Sequence, residues 1–143
     1  MKIYLRFSTT KNIFSKFIRS FERSNYSHVS IVHPEGYLVS AIYKGVKKLP
    51  LDYYPTYQDF CVDAPKEVLD FALSQLGKRY DFLALFAFLF MRKWDEKSAW
   101  ICSELVAWSF NEAGCPLLRT NECNLISPRD LLLSLKLEPI KGD

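Results

Sequence analysis

Hydrophobic and polar residues alternate over several short stretches of the chain, and this alternation predicts β-strands. Two of these stretches, YSHVSIV and YLVSAIY, are separated by Pro34-Glu35-Gly36, which is typical of a hairpin turn. The strands predicted in this way cover residues 2–7, 26–32, 37–43, 45–51, 57–62 and 136–140.

Other stretches carry apolar residues every three or four positions, which predicts helices that bury one face. A run from Asp63 and Pro65 ends at Gly77, and another from about Ser98 ends before Gly114. The helices predicted by this spacing cover about 11–23, 63–77, 82–91, 98–113 and a short segment from 127. The expected fold is therefore α+β, with a small antiparallel sheet packed against several helices.

Composition and charge limit the class of protein. With 49% hydrophobic and 24% charged residues, the chain is expected to be a single domain over 1–143. A net charge of +3 is too small to predict a nucleic-acid partner. The N-terminus lacks the apolar segment of a secretory signal, so we expect cytoplasmic synthesis, with lysis or a phage particle as a release route. The apolar stretch 82–91 is about half the length that spans a bilayer, which favours a buried helix over a membrane-surface contact.

The four cysteines form no CxxC pair, and only two histidines accompany them, which argues against a zinc site. One of them, Cys102, falls at or near the start of the helix predicted from Ser98. Free backbone N–H groups and the positive end of the helix dipole favour a thiolate there. The same N–H groups are suited to bind an oxyanion. A cysteine in an apolar run is equally explained as a small core residue.

A nucleophilic thiol needs a base, and the chain offers His28 and His33. His33 lies beside the hairpin turn, which is typical of a solvated residue. His28 lies within a predicted strand, where alternation places it on one face with Ser30. The residues alone support two explanations equally. Cys102 and His28 form a catalytic pair, or both residues have purely structural roles.

The segments SHVSI, GKRYDF and WICSELVAWSFNEAG, in this order, resemble the permuted cysteine hydrolases. This circularly permuted branch of the NlpC-type, papain-like amidases and peptidases is related to lecithin:retinol acyltransferase-like enzymes. The resemblance implies a circularly permuted papain-like fold with a central helix that carries the cysteine. It makes Cys102 the nucleophile and His28 the general base, and it assigns Tyr80 and Ser103 to the substrate-binding site.

The resemblance leaves the third catalytic group incomplete, because the polar residue expected on the strand after the histidine is here Ser40. If the turn spans residues 33–35, Val32 pairs with Gly36 and His28 lies opposite Ser40. A hydroxyl can orient an imidazole, although it stabilises the imidazolium less than a carboxylate does.

The chemistry implied is acyl transfer through a thioester, which requires no metal or organic cofactor. We expect a cysteine amidase or peptidase that acts on a small peptide-like or cell-wall-type amide. One alternative is an acyltransferase or lipase of the same superfamily that works at a membrane surface. The other is a non-catalytic binding module that retains the fold.

Overall fold

The computed structural model describes residues 1–9, 25–80, 99–120 and 126–140. The strands are β1 (Lys2–Ser8), β2 (His28–His33), β3 (Tyr37–Ile42), β4 (Gly45–Pro50), β5 (Tyr57–Asp63), β6 (Arg79–Tyr80), β7 (Ala99–Trp100) and β8 (Glu138–Pro139). The helices are α1 (Glu67–Ser74), α2 (Cys102–Glu112) and α3 (Pro128–Leu132).

Six of the strands in this part of the chain form one antiparallel sheet, in the order β4-β3-β2-β1-β5-β8. The first strand lies inside the sheet because it pairs on one side with β2 and on the other, along its whole length, with β5. Two tight turns connect β2, β3 and β4 in sequence. The short strands β6 and β7 pair in parallel and form a separate two-stranded sheet.

The expected fold, a permuted papain-like arrangement with a small sheet packed against several helices, is wrong. The six-stranded sheet is the main element of the described residues, in which the three helices have 8, 11 and 5 residues. The six strands of the large sheet were predicted, but their assembly was not, and neither were β6 and β7. Since β1 pairs along both of its edges, it joins the β2–β4 hairpins to β5 and β8 in a single large sheet.

The sheet buries residues on both faces. On one face, alternate residues of β1, β2 and β3 pack with α1 and α2 in the main hydrophobic core. The residues of β2 and β3 on this face are Val29, Ile31, Val39 and Ala41. On the opposite face, a smaller cluster contains Leu38, Leu49 and Tyr54. A sheet with both faces covered gives its polar side chains little access to water, which is important for the site described below.

Three of the predicted helices occur in the described residues, but two begin later than predicted, because Asp63 ends β5 and residues 99–100 form β7. The first begins at Glu67 and buries Val68, Leu69 and Ala72. The third begins after Ser127, whose hydroxyl and the carboxylate of Asp130 form a reciprocal capping box. The predicted helices over 11–23 and 82–91 lie outside the described residues. No helix in the described part is long and apolar enough to cross a membrane.

Candidate active site

The imidazole of His28 is bound to the hydroxyl of Ser40. His28 is the first residue of β2, and its Nε2 atom lies 2.6 Å from the Oγ atom of Ser40 in β3. The Ser30 hydroxyl donates a hydrogen bond to the same oxygen over 3.0 Å. All three side chains are buried. The histidine is therefore held in one orientation by neutral hydroxyl groups.

The strand register differs from the predicted one by two residues. The observed pairs are Val32 with Leu38 and Ile31 with Val39, so continuing this register places Ser40 opposite Ser30. The predicted pairing of Val32 with Gly36 is wrong because the turn includes Gly36, which adopts a φ of 89°. A shift of two residues preserves the face of every side chain. Ser40 therefore still contacts His28, as its diagonal neighbour on the adjacent strand.

Cys102 is the first residue of α2 and is 6% exposed. The preceding residue, Ile101, has extended backbone angles and provides no side-chain cap for the helix. The first hydrogen bond within the helix runs from the Leu105 N–H to the Ile101 carbonyl. The N–H groups of Cys102 and Ser103 therefore have no acceptor within the helix. The cysteine occupies the position that its sequence predicted, at the positive end of the helix.

Burial controls the charge state of the thiol. Loss of solvent raises the pKa of Cys102 to about 11, while the backbone N–H groups of Val29 and Ser103 act in the opposite direction. The carboxylate of Glu104, in the first turn of the helix, raises the pKa further, and the N–H group of Cys102 itself lowers it. The expected preference for a thiolate is thus reversed, because desolvation outweighs the nearby donors.

Burial also keeps the histidine neutral, since desolvation lowers the pKa of His28 to about 4. At neutral pH the site therefore contains a thiol and an uncharged imidazole. No hydrogen bond between the Cys102 sulfur and the His28 ring occurs within the described residues. The Val29 side chain packs in the same core cluster as Cys102, whereas alternation directs His28 to the other face of β2.

The Cys102 thiol nevertheless lies near the backbone of β2. The thiol receives a hydrogen-bond contribution from the N–H of Val29, the residue that follows His28. The arrangement brings a thiol, a fixed imidazole and several backbone donors to one end of the sheet.

Sequence reasoning missed Tyr54, which lies between β4 and β5. It is 4% exposed, and its ring centroid lies 5.0 Å from that of the His28 imidazole, at an interplanar angle of 37°. Burial raises the pKa of Tyr54, Ser40 acts in the opposite direction, and Cys102 raises the pKa further. The segment LDYYPTY offers three tyrosines without periodicity, so no signal in the sequence selects this one.

The other two predicted site residues are placed as follows. The Ser103 hydroxyl is buried and donates to the carbonyl of Ile126, which leaves only its backbone N–H beside the thiol. The backbone of Tyr80 pairs with Trp100, two residues before Cys102. The Tyr80 side chain lies outside what the structure describes. The substrate-binding roles of Ser103 and Tyr80 therefore stay predictions.

No protein-family model and no curated protein matches the chain. Among solved structures, it is similar to the crystal structure of metalloprotein YiiX from Escherichia coli O157:H7. The TM-score is 0.73 at 18% sequence identity, over 98% of this chain and 96% of that chain. The two proteins share a fold. At this identity, the likeness carries no information on activity.

Proposed function

We propose that this protein is a cysteine-dependent amidase or peptidase that acts on a peptide-like or cell-wall-type amide. The observation that carries the proposal is the Cys102 thiol at the start of α2, beside the backbone N–H of the residue that follows His28. The hydrogen bond between Ser40 and the imidazole supports a role for His28 as an oriented base. The sequence resemblance to NlpC-type hydrolases agrees with these roles.

In the proposed reaction, His28 takes the proton from the Cys102 thiol as the sulfur attacks the amide carbonyl carbon. The N–H groups of Cys102 and Ser103 stabilise the oxyanion. The C–N bond then breaks, the amine leaves with a proton from His28, and a thioester remains. Water, deprotonated by His28, attacks the thioester and releases the carboxylic acid, which restores the thiol.

The neutral resting pair determines how this reaction starts. Since the pKa of Cys102 is raised to about 11 and that of His28 is lowered to about 4, little thiolate–imidazolium pair is present before substrate binds. Proton transfer to His28 must therefore accompany the attack of the sulfur on the carbonyl carbon. This is general-base catalysis, in which the rate depends on how the imidazole is positioned relative to the thiol.

A second candidate, a non-catalytic binding module, is favoured by two observations. The described residues contain no hydrogen bond between the Cys102 sulfur and His28, and the orienting group is the hydroxyl of Ser40. A neutral partner stabilises an imidazolium less than a carboxylate does. The reactivity of Cys102 distinguishes this candidate from the enzyme.

The similar protein YiiX is described as a metalloprotein. In the part of this chain that the structure describes, no three side chains of His, Cys, Asp or Glu are grouped so that they could hold a metal ion. Structural and catalytic metal sites in proteins use at least three such ligands as a rule. The described residues therefore do not fit a metal centre, and the proposed reaction includes no metal.

The proposal is tested by turnover of a panel of peptide amides and cell-wall peptide fragments. Cys102→Ala and His28→Ala are each expected to abolish turnover while circular dichroism shows an intact fold. The matched controls, Cys115→Ser and His33→Gln, alter a partly exposed cysteine and the other histidine and should retain activity. Activity that persists in Cys102→Ala or His28→Ala contradicts the enzyme. A rate of Cys102 alkylation by iodoacetamide that is the same in the wild-type protein and in His28→Ala supports the binding module.

A further inference from the structure

Residues 51–56 cross the sheet between two strands that are not neighbours. They connect β4 to β5, which follow each other in the chain but are separated in the sheet by β3, β2 and β1. Tyr54, within this crossing segment, packs with Leu38 and Leu49 on the face opposite the main core. Alternation along β2 directs His28 to the same face. The crossing segment therefore passes over the face that carries the proposed base.

The side chain of Arg6 contacts both ends of the crossing segment. Its Nη1 atom donates a hydrogen bond to the carbonyl oxygen of Leu51, the first residue of the segment, over 2.5 Å. Its guanidinium carbon lies 3.6 Å from the ring centroid of Tyr57, the first residue of β5. The Nε and Nη2 atoms donate to the two carboxylate oxygens of Asp59, over 2.8 and 2.7 Å. A single buried side chain thus bridges the two ends of the segment.

The Arg6–Asp59 ion pair is not needed to join the strands that carry it. Arg6 lies opposite Asp59, and β1 and β5 already pair along the whole length of β1. A buried ion pair is also weak evidence for stability, because both charges must leave water. Two parallel N–H···O bonds do, however, fix the direction of a guanidinium. The specific effect of the pair is therefore to hold Arg6 where it reaches Leu51 and Tyr57.

The crossing segment places Tyr54 on the proposed base. The ring centroids of Tyr54 and His28 are 5.0 Å apart, and Tyr54 is 4% exposed, whereas its neighbour Tyr53 is 45% exposed. The last residue of the segment is also held, because the Thr56 carbonyl accepts a hydrogen bond from the Thr9 N–H over 3.2 Å. A six-residue connection that is held at both ends leaves the Tyr54 ring little freedom to move away from the imidazole.

We propose that Arg6 and Asp59 are positioning residues of the proposed active site. By holding the ends of the crossing segment, they keep the Tyr54 ring against the His28 imidazole, which excludes water from the base. This inference rests on the proposed function, because it takes His28 as the base. Both residues act through Tyr54 and not on the substrate.

The test is the titration of His28, followed by NMR of the imidazole protons in the full chain between about pH 7 and pH 4.5. His33→Gln assigns the two rings. Burial lowers the pKa of His28 to about 4, so the wild-type imidazole should remain mostly neutral over this range. Arg6→Met removes the guanidinium, and Asp59→Ala removes its partner. Both should release the segment and admit water, so that the pKa of His28 rises toward 6.5.

The sign of the change separates release of the segment from a direct effect of charge. The ionisable side chains of the segments and elements that flank His28 are Tyr54 in the crossing segment, Arg6 in β1, Asp59 in β5, Lys47 in β4, and Cys102 and Glu104 in α2. Loss of the Arg6 cation alone would raise the pKa of His28, whereas loss of the Asp59 anion alone would lower it. Release of the segment raises it in both variants. A lower or unchanged pKa in Asp59→Ala would overturn the proposal.

Two further variants test whether the effect passes through Tyr54. Val68→Ala truncates a fully buried residue of α1 on the other face of the sheet. It should lower the free energy of unfolding without changing the titration of His28, which separates the effect from general destabilisation. In a Tyr54→Ala background, Arg6→Met should cause no further change in the pKa of His28. An additional rise in that background contradicts a role through Tyr54.

If Arg6→Met or Asp59→Ala does not fold, Arg6→Lys replaces it. Lysine keeps the positive charge but cannot form the two-bond contact with Asp59, so the pKa of His28 should again rise. An unchanged pKa in Arg6→Lys contradicts the proposal. The titration needs no substrate, so it stands or fails separately from the turnover of Cys102→Ala and His28→Ala.

Discussion

The Nε2 atom of His28 lies 2.6 Å from the Oγ atom of Ser40, although these residues are diagonal neighbours in the sheet and do not face each other. Ser40 has no exposed surface, and it also accepts a hydrogen bond from Ser30. A buried neutral hydroxyl fixes the direction of the imidazole but provides no negative charge to stabilise its protonated form. The pKa of His28 therefore falls to about 4, as burial dictates.

If this contact orients the base, Ser40→Ala should lower kcat by roughly 10- to 100-fold with little change in KM, because the orienting bond acts on the chemical step. Steady-state kinetics on the most reactive amide of the panel measures both constants. Ser109→Ala is a suitable control, because Ser109 is equally buried but donates to the Leu105 carbonyl within α2. Equal kcat values for Ser40→Ala and the wild-type protein would remove Ser40 from the mechanism.

The reactivity of Cys102 should increase with pH far above neutrality. Since burial raises its pKa to about 11, its thiolate fraction should grow about tenfold per unit between about pH 7 and pH 10. Iodoacetamide labelling followed by peptide mass spectrometry measures the rate at each pH. Cys115, which is partly exposed, provides an internal reference in the same samples. A rate for Cys102 that is constant from about pH 6 to pH 9 would indicate a preformed ion pair.

The low pKa of His28 should make the protein less stable in mild acid. Unfolded His28 titrates near 6.5 and folded His28 near 4, so between these values the unfolded chain binds more protons. The free energy of unfolding therefore decreases as the pH falls through this window. Between pH 7 and pH 4.5, the wild-type protein should lose roughly 2.5 kcal/mol more than His28→Asn does.

Urea unfolding at the two pH values measures this difference, and the comparison with His28→Asn cancels the contribution of the carboxylates. His33→Asn should behave as the wild-type protein does, because His33 lies at the more open end of β2. An equal loss of stability in the wild-type protein and His28→Asn would show that the buried histidine remains able to bind a proton in the folded state.

The sequence predicted the secondary structure of the described residues well, because local signals determine it. Alternation marked the strands, and Ser127 with Pro128 marked the start of α3. The helix predicted from Ser98 begins only at Cys102, because residues 99–100 form β7 instead. The size of the sheet was not predictable from local patterns. It depends on β1, which pairs with β2 and with β5 over a large separation in sequence.

The sequence predicted the placement of site residues only within the strands, where side chains alternate regularly between the two faces. A strand has a period of two, so Ser40 and His28 share a face even in the wrong register. The charge state of the thiol depends on burial by the whole fold, which overrides the local effect of the helix start at Cys102. Tyr54 belongs to a loop without periodicity, and only tertiary packing brings it onto the imidazole.

The start of β4 contains a glycine whose replacement should be unusually costly. Gly45 has a φ of 101°, and an added Cβ atom would lie 2.5 Å from the carbonyl oxygen of Lys78. That oxygen accepts a hydrogen bond from the Val46 N–H over 2.8 Å, and the Gly77 N–H donates to the Val46 carbonyl over 3.0 Å. A methyl group at Gly45 must therefore separate β4 from the backbone that leads into β6.

Gly36→Ala is the matched control, because Gly36 has a similar φ of 89° but no atom within 4 Å of an added Cβ. It should cost about 1 kcal/mol, the penalty for an alanine in the left-handed region. Gly45→Ala should cost on the order of 3 kcal/mol, since it adds a backbone clash and weakens two hydrogen bonds. Urea unfolding compares the two variants. Equal losses of unfolding free energy in the two variants would mean that the backbone at Lys78 can move away from β4 without a measurable cost. The sheet would then not fix the backbone that leads to Tyr80.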